Sequence, residues 1–229
     1  MITRILFAVL LLAFSPALVA QGQTLTPEKM LELFEQDSEV RSVFFKVLEN
    51  HPDQLRGVAI RNAIYDGNIG LEFDWSVGVF SVNLRKQGTK FVPSMVFNPN
   101  FFLKFRVIDK HDPGNPTAER RFKLLVVEGA MAQIEDHWEQ KNPLLFPGEE
   151  GLPAERAFFL WKAEFAATSR QVKLAREWQI LPLMDHELLK LVDRDGIEEG
   201  VKTWMIRVAD KRPDTRWLIP FWERLAAQK

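Results

Sequence analysis

Cysteine is absent from the 229 residues. Its absence excludes disulfides, a lipid-attachment cysteine and thiol chemistry. A metal site would therefore need at least two of the four histidines, His51, His111, His137 and His186, converging with an acid. There is no G-x-S-x-G elbow, and Ser76, Ser81, Ser94 and Ser169 have no histidine near them in sequence. The glycines never cluster into a phosphate-binding loop, and the chain has neither an internal repeat nor a low-complexity tract. An excess of positive charge is missing too. Thirty Lys and Arg stand against 31 Asp and Glu, which gives no basic footprint for nucleic acid.

Only one apolar run is long. Ile5 to Phe14 follows Arg4 and precedes Ser15-Pro16, too short for a good membrane span and suited to the core of a secretory signal peptide. The signal is expected to be residues 1–22. Cleavage after Gly22 satisfies the small-x-small rule with Ala20, whereas cleavage after Ala20 places the bulky Leu18 three residues back. The mature chain is expected to be soluble and exported, in the periplasm or outside the cell, with no membrane span left after cleavage. Its 18 Phe and 7 Trp supply enough apolar area for one core without disulfides, so residues 23–229 are expected to be one α+β domain.

Taken in order, residues 23–50 read as a helical pair, the first helix begun by Thr26-Pro27 and the second by Ser38, with Val40, Val43, Phe44, Val47 and Leu48 as its inner stripe. His51-Pro52-Asp53 ends it. From Arg56 to Phe97 the spacing becomes even: Val58, Ile60 and Ile64, then Ile69 to Trp75, Val77 to Leu84 and Lys90 to Phe97, separated by Gly- and Asn-containing turns. This predicts three or four antiparallel strands, with Pro93 marking the last as an edge or a bulge. Asp109 to Pro116 and Lys141 to Pro153 read as loops. Helices are predicted over Ala154 to Trp178, after Asp185, after the Asp195-Gly196 break, and over Arg216 to Gln228. The expected fold class is α+β, a small antiparallel sheet packed with a buried central helix and further helices.

That central helix is Thr117 to Glu139. Phe122, Val126, Ala130, Ile134 and Trp138 recur every four residues and Val127 and Met131 add a second stripe, so Leu124 to Met131 is apolar nearly all round. Glu128 is its one ionisable side chain. A lone buried carboxylate costs several kcal/mol, so it needs a cation, a hydrogen-bond donor or a proton. Two arrangements answer this need. In one, Glu128 pairs with a basic residue of the next long helix, Arg156, Lys162 or Arg170. In the other, Glu128 and a second carboxylate, Glu155 or Glu164, form an acid–base pair. The first is favoured, because buried ion pairs commonly fix packing without chemistry.

The histidines carry less. His51 and His111 sit beside prolines or polar loop residues and are expected to face solvent. His186-Glu187 opens like a zinc-binding HExxH helix, but Lys190 occupies the second ligand position and repels a metal. His137 lies nine residues from Glu128, half a turn out of phase, so the two cannot share an ion. His137 and His186 are retained only as alternative metal ligands, and no cofactor is expected. Among the tryptophans, Trp217 and Trp222 in Arg216 to Trp222 are expected to be partly exposed and to bind a partner.

The order of parts is similar to that of a known family. An extended segment ending Val96-Phe97-Asn98-Pro99, the helix Leu124-Leu125-Val126-Val127-Glu128-Gly129-Ala130-Met131-Ala132, a Pro/Gly loop and a helix opening Ala154-Glu155-Arg156-Ala157 together resemble the zincin-like metallopeptidases over Lys90 to Arg176. In that family an HExxH helix supplies two histidine ligands and a base, and a downstream helix supplies an acidic ligand. The resemblance implies that Glu128 matches the base and Glu155 or Glu164 the acidic ligand. Val127 and Met131 stand at the two histidine positions and cannot hold zinc, so the implied object is a pseudoenzyme.

The expected function is that of an exported non-catalytic protein that binds a protein or cell-envelope partner. The competing expectation is an envelope hydrolase using Glu128 with Glu155 or Glu164, or a metal site of unusual composition. A carbohydrate or small-ligand binder using exposed tryptophan is a third.

Overall fold

A computed structural model describes residues 27–103, 116–140, 144 and 152–228. The signal segment 1–22, His111 and most of the two expected loops lie outside the described residues. Helix α1 (Pro27–Leu48) is followed by α2 (Gln54–Tyr65), strands β1 (Gly70–Phe73), β2 (Phe80–Gln87) and β3 (Lys90–Phe97), and the short α3 (Pro99–Leu103). Then come α4 (Pro116–Gln140), α5 (Pro153–Glu177), α6 (His186–Asp210) and α7 (Ile219–Ala226). The class is α+β. No described helix is long and apolar enough to cross a membrane.

Two expectations about the first half need correction. Pro27–Leu48 is one continuous helix, not a pair. The even spacing of Val58, Ile60 and Ile64 does not make a strand, for these residues belong to α2. Asp53 begins that helix by accepting a hydrogen bond from the Arg56 backbone N–H at 3.0 Å. A cap is worth about 1 kcal/mol and the β-branched residues cost a few tenths each in a helix, so the cap and the burial of Ile60 decide the outcome.

The sheet is mixed. Its order is β1-β3-β2, with β3 parallel to β1 and antiparallel to β2. β3 is therefore central, and its outer half explains how it tolerates Pro93. The β1 ladder covers only Ser94 to Phe97, so at Pro93 the strand has a neighbour on one side alone, through Leu84. Where β3 has both neighbours its residues are buried, and Phe97 joins Phe44, Phe73, Phe101 and Phe102 in a group of edge-to-face and tilted rings that fastens α1 and α3 to the sheet.

The second half forms a helical layer on this base. α4 is buried from Phe122 to Ile134, as its apolar girth requires, and α5 packs beside it. α5 buries Ala157, Trp161, Glu164, Thr168, Gln171 and Ala175, a stripe at three- and four-residue steps. Asp185 caps α6 through the Leu188 N–H, and Gly196, at φ 84°, kinks that helix where the sequence breaks. At the end of the chain Trp222 is fully buried and donates from Nε1 to the Ala157 carbonyl at 3.0 Å. This corrects the expectation that Trp222 is an exposed partner-binding residue. Trp222 lies one turn after the buried Leu218 that precedes α7, and α7 packs against α5 and α6. Trp217 is half-buried against the edge of Phe221.

Candidate functional site

Glu128 is 0% exposed, and its two oxygens collect donors from three other parts of the fold. Oε1 accepts from His51 Nε2 at 3.0 Å and from Arg56 Nε at 2.9 Å. Oε2 accepts from Arg56 Nη2 at 3.1 Å and from Arg170 Nη2 at 3.4 Å. Arg56 thus grips the carboxylate with both edges of its fork and reaches on with Nη2 to Glu135 Oε1 at 2.6 Å. The His51 ring is oriented from behind. The Asp53 backbone N–H donates to its Nδ1 at 3.0 Å, which leaves Nε2 carrying the proton given to Glu128.

The local sequence builds this arrangement from one tight turn. α1 ends at Leu48, and Asp53 both caps α2 and supplies the N–H that fixes His51. Gly57 permits the closure: a Cβ there would lie 2.9 Å from both the His51 Cβ and the Leu48 carbonyl oxygen. The turn therefore delivers His51 and Arg56 to α4 together, and the imidazole meets the Trp178 ring in a perpendicular arrangement, the two ring centroids 5.4 Å apart. The expectation that His51 faces solvent is overturned, for it is 6% exposed.

Burial alone would push the Glu128 carboxyl up. The hydrogen bonds from His51 and Arg56 and the fields of Arg56 and Arg170 outweigh it and hold the carboxyl at about 2. Against the opposing effect of burial, the hydrogen bonds to Glu128 and Glu135 and their negative charges raise the Arg56 guanidinium. Of the three basic residues expected as partners, Arg170 contacts Glu128, while Arg156 and Lys162 are in none of its bonds. Arg56 and His51 were not anticipated, since both lie more than 70 residues away in sequence.

No described hydrogen bond joins Glu128 to a second acid. Glu155 is exposed in the first turn of α5. Glu164 lies six residues before Arg170, about 9 Å along the helix at 1.5 Å per residue, and is 2% exposed. Its Oε2 has no hydrogen-bond partner among the described residues, and burial pushes its carboxyl up to about 8 against the weaker field of Arg212. His137 is half-buried near the end of α4, and His186 is exposed at the start of α6. Among the described residues no group of three or more histidine, aspartate and glutamate side chains is arranged to hold a metal ion. Val127 and Met131, the positions matched to zinc ligands, are both buried.

Next to this cluster a cleft of about 600 Å³ opens between α2, the outer half of β3 and the end of α4. Arg56 and Glu135 lie in its wall, Ile60, Val92 and Met131 give it an apolar floor, and Phe91 and Trp138, 54% and 50% exposed, stand at its rim. The four-residue spacing of α4 places Trp138 on its inward face, but the cover of that face ends before it. No protein-family model, curated protein or solved structure matches the chain.

Proposed function

We propose that the chain is an exported, non-catalytic protein that works by binding a protein or cell-envelope partner. The observation that carries this reading is the saturation of Glu128. A carboxylate has about four acceptor positions, and hydrogen bonds from His51, Arg56 and Arg170 occupy four. A general base needs an open lone pair and a proton affinity near the working pH, and a carboxyl held at about 2 offers neither. Two guanidinium groups on the same oxygens also repel any cation that would approach them.

In this reading the acid at the base position of the zincin-like order of parts has become an anchor that ties α2, α4 and α5 together. Recognition then falls to the exposed surface. The cleft beside α4, with two aromatic rings at its rim, is the surface best suited to it, because aromatic side chains are over-represented where partners bind.

The test places a photo-crosslinking residue at Trp138 in the full chain expressed in its native envelope, with the same probe at the exposed Glu198 as reference. One envelope component captured at Trp138 and not at Glu198 supports the proposal. Stoichiometric zinc in the purified protein, or turnover of an envelope polymer abolished by Glu128→Gln with the fold intact, would replace it with the hydrolase reading.

A further inference from the structure

α2 is apolar on two opposite sides. Gly57 and Ile60 are buried in the fold, and Arg56 pins the helix to α4 through Glu128. On the far side Leu55, Val58 and Tyr65 stand exposed, Leu55 at 84% more than any other large apolar side chain among the described residues. With Asn62 they follow one another at steps of three, four and three residues, the spacing of the paired seam in two successive heptads. An apolar stripe on a firmly held helix is ordinarily covered, yet all four residues are exposed. The neighbours of the stripe show what fits it. Arg61 on one flank and Asp66 on the other lie five residues apart, the offset at which flanking side chains of two parallel helices meet. Neither side chain has a hydrogen bond or ion pair among the described residues. Gln54 and Ala59, the other flanking pair, carry no charge, so no like charges oppose one another. Asn62 would meet its own counterpart amide to amide, and an asparagine at that place of a seam fixes register and oligomeric state.

We infer that α2 pairs in parallel with α2 of a second copy of this chain, joining Leu55, Val58, Asn62 and Tyr65 in one seam flanked by Arg61 and Asp66 of opposite copies. The surface complements itself, which selects another copy over an unrelated helix: each copy supplies one cation and one acid, so two-fold symmetry makes the ion pair twice. The size of the surface sets the strength. Twelve residues span about 18 Å, and a strip of that length and one helix diameter wide covers a few hundred Å², well short of the about 800 Å² per partner of a standard interface. The dimer is therefore weak and reversible, formed near about 0.1 mM and dissociated near about 1 μM. The inference goes beyond the binding role proposed above. It uses the outward stripe of α2, and the crosslink at Trp138 neither supports nor weakens it.

Sedimentation equilibrium of the purified chain across that concentration range tests association, and single cysteines test its geometry, each reporting alone because the chain has none of its own. Leu55→Glu should weaken the dimer at least ten-fold and leave the fold intact, since Leu55 is exposed and an acid suits the first turn of a helix. Arg61→Asp should weaken it about three-fold or more, and adding Asp66→Arg to the same chain should restore it. On mild oxidation Leu55→Cys should form a disulfide dimer with itself, while Glu198→Cys, exposed on α6, should not. An antiparallel pair would instead set the two residues 55 about 15 Å apart, beyond the reach of a disulfide, and would crosslink only a mixture of Leu55→Cys with Tyr65→Cys. Crosslinking confined to that mixture, or a charge swap that fails to restore the dimer, overturns the parallel pairing. A dimer that survives Leu55→Glu unchanged is made by another face and overturns the inference. So does a chain that stays monomeric up to about 0.5 mM, including the case in which a photo-crosslinking residue at Leu55 captures a different component of the native envelope.

Discussion

Glu128 on α4 and Glu164 on α5 are buried to the same degree and end in opposite states. Glu128 faces the turn between α1 and α2, which brings it an imidazole N–H and a guanidinium, and its carboxyl is held at about 2. Glu164 lies on the inner stripe of α5 between Trp161 and Thr168, its Oε2 accepts no hydrogen bond among the described residues, and its carboxyl rises to about 8. Burial therefore does not decide whether an acid in this protein is charged; the supply of donors does. The same comparison separates a carboxylate that fixes structure from a carboxyl that waits for a change of pH.

The largest effect is expected at Glu164. Its folded value lies above the unfolded value of 4.5, so between the two the unfolded chain releases a proton that the folded chain keeps. Its contribution is fully present below 4.5 and is lost as pH rises towards 8. At 1.36 kcal/mol per unit the swing reaches up to about 5 kcal/mol. Urea denaturation at pH 5 and pH 8.5 should show Glu164→Gln nearly equal to wild type at the lower pH and several kcal/mol more stable at the higher one. A variant that follows wild type at both pH values breaks the comparison.

At Glu128 the sign reverses. Its folded value lies below 4.5, so the stabilisation is present above that pH and is lost as pH falls towards 2. Glu128→Gln should cost about 3 kcal/mol at pH 7, in line with removal of one partner from a buried pair, and the difference from wild type should close in acid. A cost below about 1 kcal/mol at neutral pH would show that Glu128 is no anchor. Gly129→Ala tests the packing that the anchor depends on. A Cβ there would lie 2.4 Å from Gln171 Nε2, which is held by the Leu125 carbonyl, so a loss of about 1–3 kcal/mol is expected in the same denaturation assay.

The sequence makes Glu128 conspicuous because nothing else ionisable interrupts Leu124 to Met131, and the next helix supplied Arg170 as a partner. It did not supply His51 or Arg56. Even spacing of Val58, Ile60 and Ile64 imitates a strand, and once α2 is read that way Arg56 has no route to α4. The signal that favours the helix was present in Asp53, three residues before Arg56, where it both caps α2 and orients His51. Glu164 is legible as an acid but not as a buried one, because the face of α5 that packs, Trp161, Glu164, Thr168 and Gln171, mixes apolar and polar residues. Trp138 and Trp222 exchange the exposures expected of them, since helical spacing identifies an apolar face without saying where along the helix its cover ends.

The smallest effects sharpen the comparison most. Arg170 is the longest of the four contacts to Glu128 and is itself 40% exposed, while Arg212 reaches Glu164 through its field alone. Replacing either with glutamine should change stability by less than about 1 kcal/mol, the usual range for an exposed partner. The two carboxyls should nevertheless respond in a shared direction, each losing a cation and so titrating higher. Carbon-13 labelling of the glutamate carboxyls follows both in one NMR titration. In Arg170→Gln the Glu128 midpoint should rise yet stay below 4.5, because His51 and Arg56 still bind it. In Arg212→Gln the Glu164 midpoint should rise further above its already elevated value. A Glu128 midpoint carried past 4.5 by loss of Arg170 alone would mean that the exposed arginine, and not the turn that delivers His51 and Arg56, keeps the central acid charged.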